Sequence, residues 1–289
     1  SRSLYTRMRQ KSVDLRKIVS THLERSSKKL DLQLKQLKDT EKRDKFKVYG
    51  ELLNTYGYQV TEGAKSVEVP NYYTGEMLTI PLDETLSPLD NAKKYFARYN
   101  KLKRTFEALN TQTEETRTEI AHLQTIQAAL AIAESEDDLA QIRDELETYG
   151  YIRRKMNGKK KQKFKSKPFH YRSSDGFDIY VGKNNFQNDE LTFKVANGND
   201  WWFHAKGMPG SHVIVKTEGR ELPDRTFEEA GRLAGYYSSG RDNEKIEIDY
   251  LQRKNVKKPN GAVAGYVIYY TNYSLTIHPD ISGIEKISE

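Results

Sequence analysis

Leu23, Leu30 and Leu37 are spaced by seven, and Met8, Leu15, Val19, Leu34 and Val48 fill out the same apolar seam. Lys and Arg crowd the remaining surface, no Pro interrupts residues 1–54, and the first Gly is Gly50. The pattern predicts one long helix over 1–54, about 75 Å long if it holds 50 residues at about 1.5 Å each. A second periodic stretch follows Pro88: Tyr99, Leu102, Phe106, Leu109, Ile120, Leu123 and Leu130, with Thr113, Thr116 and Gln127 as polar members of the same seam. Heptads sustained this long argue for a coiled coil, and two such helices in one chain most simply fold back as an antiparallel hairpin. Between them, at about 56–86, Val67 and Val69 alternate, residues 73–76 have turn chemistry, and Met77 to Ile80 return as a second strand. This small β-containing insertion would sit at the hairpin tip, either meeting a partner or serving as a structural cap. Ser135 and the acids after it open a short helix that ends near Gly150.

The pattern changes after residue 151. Residues 152–167 form a basic linker: Arg153, Arg154, Lys155, Lys159, Lys160, Lys161, Lys163, Lys165 and Lys167 stand there without one acid. Such a run repels itself and is either a solvated hinge or an arm for phosphate backbones. Residues 168–289 predict a compact α+β domain. Phe177, Ile179 and Val181 share one strand face, Ile246, Ile248 and Tyr250 another, and 212–216 and 265–270 are further runs rich in strand formers. Thr226 and Glu229 form a capping box ahead of Phe227, Ala230, Ala234 and Tyr237 at helical spacing. A mixed sheet with helices on one side is the expectation. The fold class is therefore α+β: a coiled-coil hairpin over 1–151, then a mixed domain over 168–289.

Composition sharpens this picture. The mean hydropathy is −0.85, too polar for one large core in 289 residues, so elongated parts are expected beside a compact one. The formal charge is +7, and since residues 1–150 hold 24 basic and 24 acidic residues, all of it lies beyond them. With no Cys, disulfides, thiolate nucleophiles and cysteine-ligated zinc are excluded. No apolar run is long enough to span a membrane, so no membrane insertion is expected. The first residues lack the apolar core of a signal peptide, and the chain starts with Ser in mid-pattern, as a C-terminal fragment would.

Catalytic constellations are poor. Ser211 and His212 are adjacent, so on a strand they point to opposite faces. His204 and His212 have no third ligand at metal-binding spacing. No Gly-rich nucleotide loop occurs. No enzyme activity, metal or cofactor is expected. Nucleic-acid features accumulate instead. Lys183, Asn184, Asn185 and Asn188 flank Phe186 at a strand-to-helix junction, suited to phosphate and base edges. Residues 207–211 could form a nest of backbone N–H groups, with His204, Lys206, Ser211 and His212 around it. Arg253, Lys254, Lys257 and Lys258 add charge. Trp201, Trp202, Phe203, Tyr236 and Tyr237 could stack on unpaired bases, although burial is preferred for Trp202 and Phe203.

The run from Asp175 to Leu191, DGFDIYVGKNNFQNDEL, and WFHAKGMPGSH from Trp202 to His212 closely resemble the NFACT-R domain that ends the RqcH/NEMF family, whose Gram-positive members are often labelled fibronectin-binding protein A. AVAGYVI from Ala262 to Ile268 and RKNVKKP from Arg253 to Pro259 fit as well. Ala264 stands where relatives commonly carry Pro, and Phe186 where a basic residue is common. The resemblance covers about 168–289 by motif and the preceding helices by architecture. It implies ribosome-associated quality control: binding the large ribosomal subunit and its rRNA beside an obstructed peptidyl-tRNA, and recruiting tRNA for alanine tailing. The tRNA-handling N-terminal regions of that family lie outside this sequence. It further implies a cytoplasmic location. The alternative is an adhesin-like module that binds fibronectin through leaderless display on the cell surface.

Overall fold

The computed structural model describes residues 2–154 and 164–288. The chain divides into two compact units, one built from 26–118 and the other from 1–25 with 119–289.

The N-terminal helical stretch is broken. Helix α1 runs Arg2–Asp39, a single 3-10 turn covers Thr40–Lys42, and α2 runs Arg43–Tyr56. At the break the buried Thr40 hydroxyl donates to the Leu37 carbonyl at 2.6 Å, and Arg43 donates a guanidinium N–H to the Thr40 carbonyl at 3.0 Å. These side chains compete for backbone carbonyls and tighten the turn. The turn also rotates the seam: Tyr49, Leu52 and Leu53 are buried after it, while Val48 stays at the margin. One uninterrupted helix over 1–54 is therefore corrected to two.

In the 26–118 unit, α2 packs on strands β1 (Ser66–Pro70) and β2 (Met77–Pro81) and on the start of α3 (Pro88–Ile132). The strands pair antiparallel, with Val67 opposite Ile80 and Val69 opposite Leu78. The Ser87 hydroxyl accepts the Asp90 N–H at 3.0 Å, so α3 begins with a side-chain cap and Pro88 in its first turn. The Tyr95 hydroxyl donates to the Pro81 carbonyl and holds the strands to α3. Inside this unit α1–α2 and α3 run in opposite senses: Gln33 meets Thr116, Arg43 lies 4.0 Å above the Phe106 ring, and Phe46 stacks on Tyr95. Gln33, Thr113 and Thr116 are buried members of this seam.

In the other unit Leu15 and Val19 of α1 pack on Leu123, Ile126 and Leu130 of α3 and on Leu139, Ile142 and Leu146 of α4 (Glu136–Thr148). Gln127 is exposed, and Ile126 and His122 occupy the buried positions instead. The Ser135 hydroxyl caps α4 by accepting the Asp138 N–H at 3.1 Å.

The remaining residues build a seven-stranded sheet from β3 (Phe169–Arg172), β4 (Asp178–Val181), β5 (Trp201–Ala205), β6 (Val213–Val215), β7 (Ile246–Gln252), β8 (Tyr273–Ile277) and β9 (Glu285–Lys286). The order is β8-β7-β5-β6-β4-β3-β9 and every pairing is antiparallel, so the expected mixed sheet is corrected. Helices flank both faces rather than one. Helix α6 (Asp224–Tyr236) lays Ala230, Leu233 and Ala234 on one face, over Phe177, Ile179, Phe203 and Ile248. Gly231 and Gly235 permit that approach, since a Cβ there would fall 2.7 and 2.6 Å from Leu275 and Ile277. On the other face α5 (Asn185–Glu190) and a π turn at Leu191–Val195 cover Trp202, Ile214 and Leu251.

Two local expectations are also corrected. Residues 265–270 form no strand, only an isolated bridge between Lys257 and Ile268. The capping box at Thr226 and Glu229 does not form, because α6 starts two residues earlier at Asp224. Both side chains are buried: the Glu229 carboxylate accepts the Ser174 N–H at 3.1 Å, and Thr226 bonds Ser173 and Asp175.

The Gln33–Thr116 pair joins two helices through a polar contact of 2.9 Å in a buried seam. Thr116→Val alone should destabilise the protein by about 1–3 kcal/mol, because it strands the Gln33 amide. Adding Gln33→Leu should recover most of that loss, as urea titration followed by helical ellipticity would show; equal losses in single and double variants would contradict the pairing.

Candidate nucleic-acid interface

The segment 182–189 leaves strand β4 and turns into α5. Asn184 caps the helix, its Oδ1 accepting the Gln187 N–H at 3.0 Å while its Nδ2 donates to Gln141 Oε1 at 2.8 Å. Asn185 donates through Nδ2 to Thr125 Oγ1 and Glu145 Oε2, each at 2.8 Å. Glu145 is wholly enclosed and also meets His122 Nε2 at 2.9 Å. Asn188 Oδ1 accepts the His212 backbone N–H at 3.1 Å, and it lies 1.9 Å from where a Cβ on Gly182 would stand, so only glycine fits there. Asp189 receives the Gly265 N–H at 2.8 Å and the Lys258 ammonium at 3.2 Å. The Ala264 N–H donates to the Tyr149 hydroxyl at 2.8 Å. These contacts clamp α5 and the 262–268 segment to the ends of α3 and α4.

His212 belongs to the same lattice. Its Nε2 stands 3.1 Å from the Gly265 carbonyl and its Nδ1 2.8 Å from the Thr192 hydroxyl. A carbonyl only accepts, so Nε2 carries the proton and Nδ1 accepts from Thr192. Burial drives the His212 pKa down to about 3, helped by His204 nearby, and the ring is neutral. His204 retains some solvent contact, yet it sits between Trp202 and His212, and desolvation lowers its pKa too.

The sequence-derived site residues therefore divide. Asn184, Asn185, Asn188, Ser211 and His212 are brought together, but they are buried and bonded within the protein. Asn184, Asn185 and His212 engage partners within the protein through their side chains, and Asn188 does so through its Oδ1. Lys183 is likewise turned inward, 3.3 Å from Asp138 and above the Phe169 ring. The nest expected at 207–211 does not form: Ser211 N–H donates to the Tyr237 carbonyl, and Gly210 bridges Ser238. Trp202, Phe203 and Tyr237 are buried. Lys206 is exposed beside Glu247 at 3.2 Å, and Lys258 is held by Asp189 and the carbonyls of Val263 and Tyr266.

What remains outward is a rim after β7. Arg253 is partly exposed, with Nε bonded to the Thr192 carbonyl at 2.6 Å, and Lys254 and Lys257 are exposed. Arg153 is exposed, while Arg154 reaches Asp144 at 3.5 Å. Lys159, Lys160 and Lys161 lie outside the described residues. Among the described residues, no group of three His, Asp or Glu could hold a metal ion, and no helix is long and apolar enough to cross a membrane. Tyr266 and Tyr270 on this rim were missed. Their signal was the alternation in 265–270, which places Val267 and Tyr269 inward and Tyr266 and Tyr270 outward.

A family model for NFACT N-terminal and middle domains matches residues 2–165, and one for the NFACT protein RNA binding domain matches 167–269. Strands β3 to β7 and the α5 side of the lattice thus fall within the match to an RNA-binding domain. The chain belongs to the NFACT family. It is 40% identical over 282 residues to the Rqc2 homolog RqcH of Streptococcus suis, covering 97% of this chain and 50% of that relative. The Rqc2 homolog RqcH of Bacillus subtilis is 36% identical over 287 residues, with 98% and 50% covered. The chain thus spans about half the length of these relatives. The solved C-terminal part of the fibronectin/fibrinogen-binding protein from Streptococcus suis superposes with a TM-score of 0.75 at 33% identity, covering 97% of this chain and all of that one.

Two outcomes follow from the lattice. Asn185→Ala should cost about 1–3 kcal/mol by taking from the buried Glu145 Oε2 one of its two donors, with His122 remaining, while leaving the RNA affinity of the folded protein within about twofold, because the amide is not at the surface; anisotropy and thermal melts on one sample separate these effects. His212 has a folded pKa near 3 against 6.5 in the unfolded chain. Its contribution is complete above pH 6.5 and is lost as pH falls toward 3, because only the unfolded chain takes up the proton, with a slope of up to about 1.4 kcal/mol per pH unit. Denaturant titrations between about pH 6.5 and 5, above most carboxylate pKa values, should show that loss in the native protein and a flatter response in His212→Gln.

Proposed function

We propose that this chain is the part of a ribosome-associated quality-control factor that binds RNA and the large ribosomal subunit beside an obstructed peptidyl-tRNA. The observation that carries the proposal is the coincidence of the RNA-binding-domain match over 167–269 with an exposed cationic rim at Arg253, Lys254 and Lys257. The similarity to Rqc2 homologs supports the quality-control setting. In the whole protein, tRNA recruitment for alanine tailing would use regions beyond the half matched here. The fragment acts by binding rather than catalysis, in the cytoplasm, with no cofactor. Its helical part serves as an antiparallel coiled-coil hairpin. The opposed contacts at Gln33–Thr116 and Phe46–Tyr95 favour that reading within their own unit. The basic run 153–167 adds positive charge.

A second reading, binding of fibronectin at the cell surface, draws on the name of the solved Streptococcus suis relative. The two differ in what salt does. Phosphate neutralisation releases counterions, so affinity falls steeply with salt. Co-sedimentation with purified large subunits should weaken as salt rises. Reversing Lys159, Lys160 and Lys161 to Glu should weaken it about tenfold or more at physiological salt, whatever the RNA sequence. Binding to immobilised fibronectin is measured at the same salt. Salt-independent or absent subunit binding, or tighter binding to fibronectin, would overturn the RNA reading.

A further inference from the structure

From Leu251 to His278 the chain carries Arg253, Lys254, Lys257 and Lys258, no acidic residue, and four of its 19 tyrosines. The fold gives this segment two different sides. Lys257 and Ile268 exchange backbone hydrogen bonds of 2.8 and 2.9 Å, which straighten the chain around Ile268. Val267 and Tyr269 then point inward, onto the cluster of Trp202, Leu251 and Val256. Tyr266 and Tyr270 point outward, 50% and 85% exposed, on either side of the Lys257–Ile268 bridge. Two carboxylates bonded to this segment are engaged within it: Asp189 by Lys258, and Asp249 by Tyr269 and Asn272. The result is a rigid strip presenting cations and two uncovered aromatic rings.

We propose that this strip binds unpaired RNA, with Tyr266 and Tyr270 stacking on separate bases while Lys254 and Lys257 neutralise the phosphates between them. The proposal rests on the RNA-binding reading above and specifies its substrate. Four residues of extended chain separate the rings by about 13 Å, too far to sandwich one base, so each ring takes its own. Cations alone would serve a duplex as well as a single strand. Exposed rings help only where base faces are open, since a duplex keeps its bases stacked on one another. The strip therefore discriminates unpaired from paired RNA, and the lattice behind it holds Ala264 and Gly265 at one end through Tyr149, Asp189 and His212.

The test is fluorescence anisotropy of the intact chain with two labelled probes, an unstructured CA-repeat RNA and a mixed-sequence RNA duplex. Tyr266→Ala and Tyr270→Ala should each weaken the unstructured probe about tenfold and leave the duplex within about twofold. Tyr266→Phe and Tyr270→Phe should restore binding, because stacking needs the ring and not the hydroxyl. Lys254→Ala and Lys257→Ala should weaken both probes and flatten the salt dependence by about 0.7 per contact on the single strand. Unchanged melting temperatures are expected for these exposed positions. If the native chain binds the unstructured probe and the tyrosine variants bind it equally well, the strip proposal fails and the RNA reading stands. Equal losses on both probes, or tyrosine variants that lose only fibronectin, also overturn the strip. If the native chain binds neither probe, both readings fall.

Discussion

The join of α5 to α3 and α4 rests on a buried polar lattice. Glu145 is wholly enclosed, and its Oε2 is met by both His122 from α3 and Asn185 from α5, while its Oε1 has no partner among the described residues. A buried carboxylate without such partners is strongly unfavourable, so these three elements can occupy only the arrangement that brings both donors to it. The constraint propagates through the backbone that Asn185 begins. Asn188, three residues on, fixes His212, and His212 with Asp189 fixes Gly265. Gly265 holds a φ of +83°, and a Cβ there would stand 2.3 Å from Asn185 Oδ1, which closes the circuit on the residue where it started.

This circuit changes the meaning of the longest family motifs. Their amides and histidines have the chemistry to touch RNA, yet each is held in an internal bond. Those bonds tie them to the segments that lie outside them. The 262–268 segment is tied on its inner side by Tyr149, Asp189 and His212, and this is why its outer side can present rings and cations on an otherwise strandless stretch. A rigid support reduces the entropy lost when an unstructured ligand docks. The lysines divide in the same way: Lys183 and Lys258 pair with Asp138 and Asp189, while Lys254 and Lys257 are exposed, bonded to the Asn199 side chain and the Lys254 carbonyl, respectively.

Much of the architecture was legible in local patterns. The α3 start at Pro88, the Ser135 cap, the β1 and β2 strands and the buried faces of β4 and β7 all follow from periods of two or three to four and from capping chemistry. The misreadings have specific causes. A heptad pattern cannot register that Thr40 and Arg43 draw carbonyls out of the helix and rotate the seam. The Thr226–Glu229 spacing matches a capping box, but burial gives Glu229 a better use across the domain at Ser174. Gln127 is exposed while His122 and Ile126 are buried because α4 covers one side of α3, a contact that no periodicity in α3 encodes.

Sequence alone determined what local forces decide: which stretches are helical or extended, the neutrality of residues 1–150, the acid-free basic run and the family motifs themselves. Only the tertiary structure decided which polar groups face solvent. Whether an Asn donates to a phosphate or to a buried Glu depends on a partner about 40 positions away in the chain, as with Asn185 and Glu145. Burial is a property of the packed whole: it draws the amides of Asn184, Asn185 and Asn188 inside and leaves Tyr266 and Tyr270 exposed.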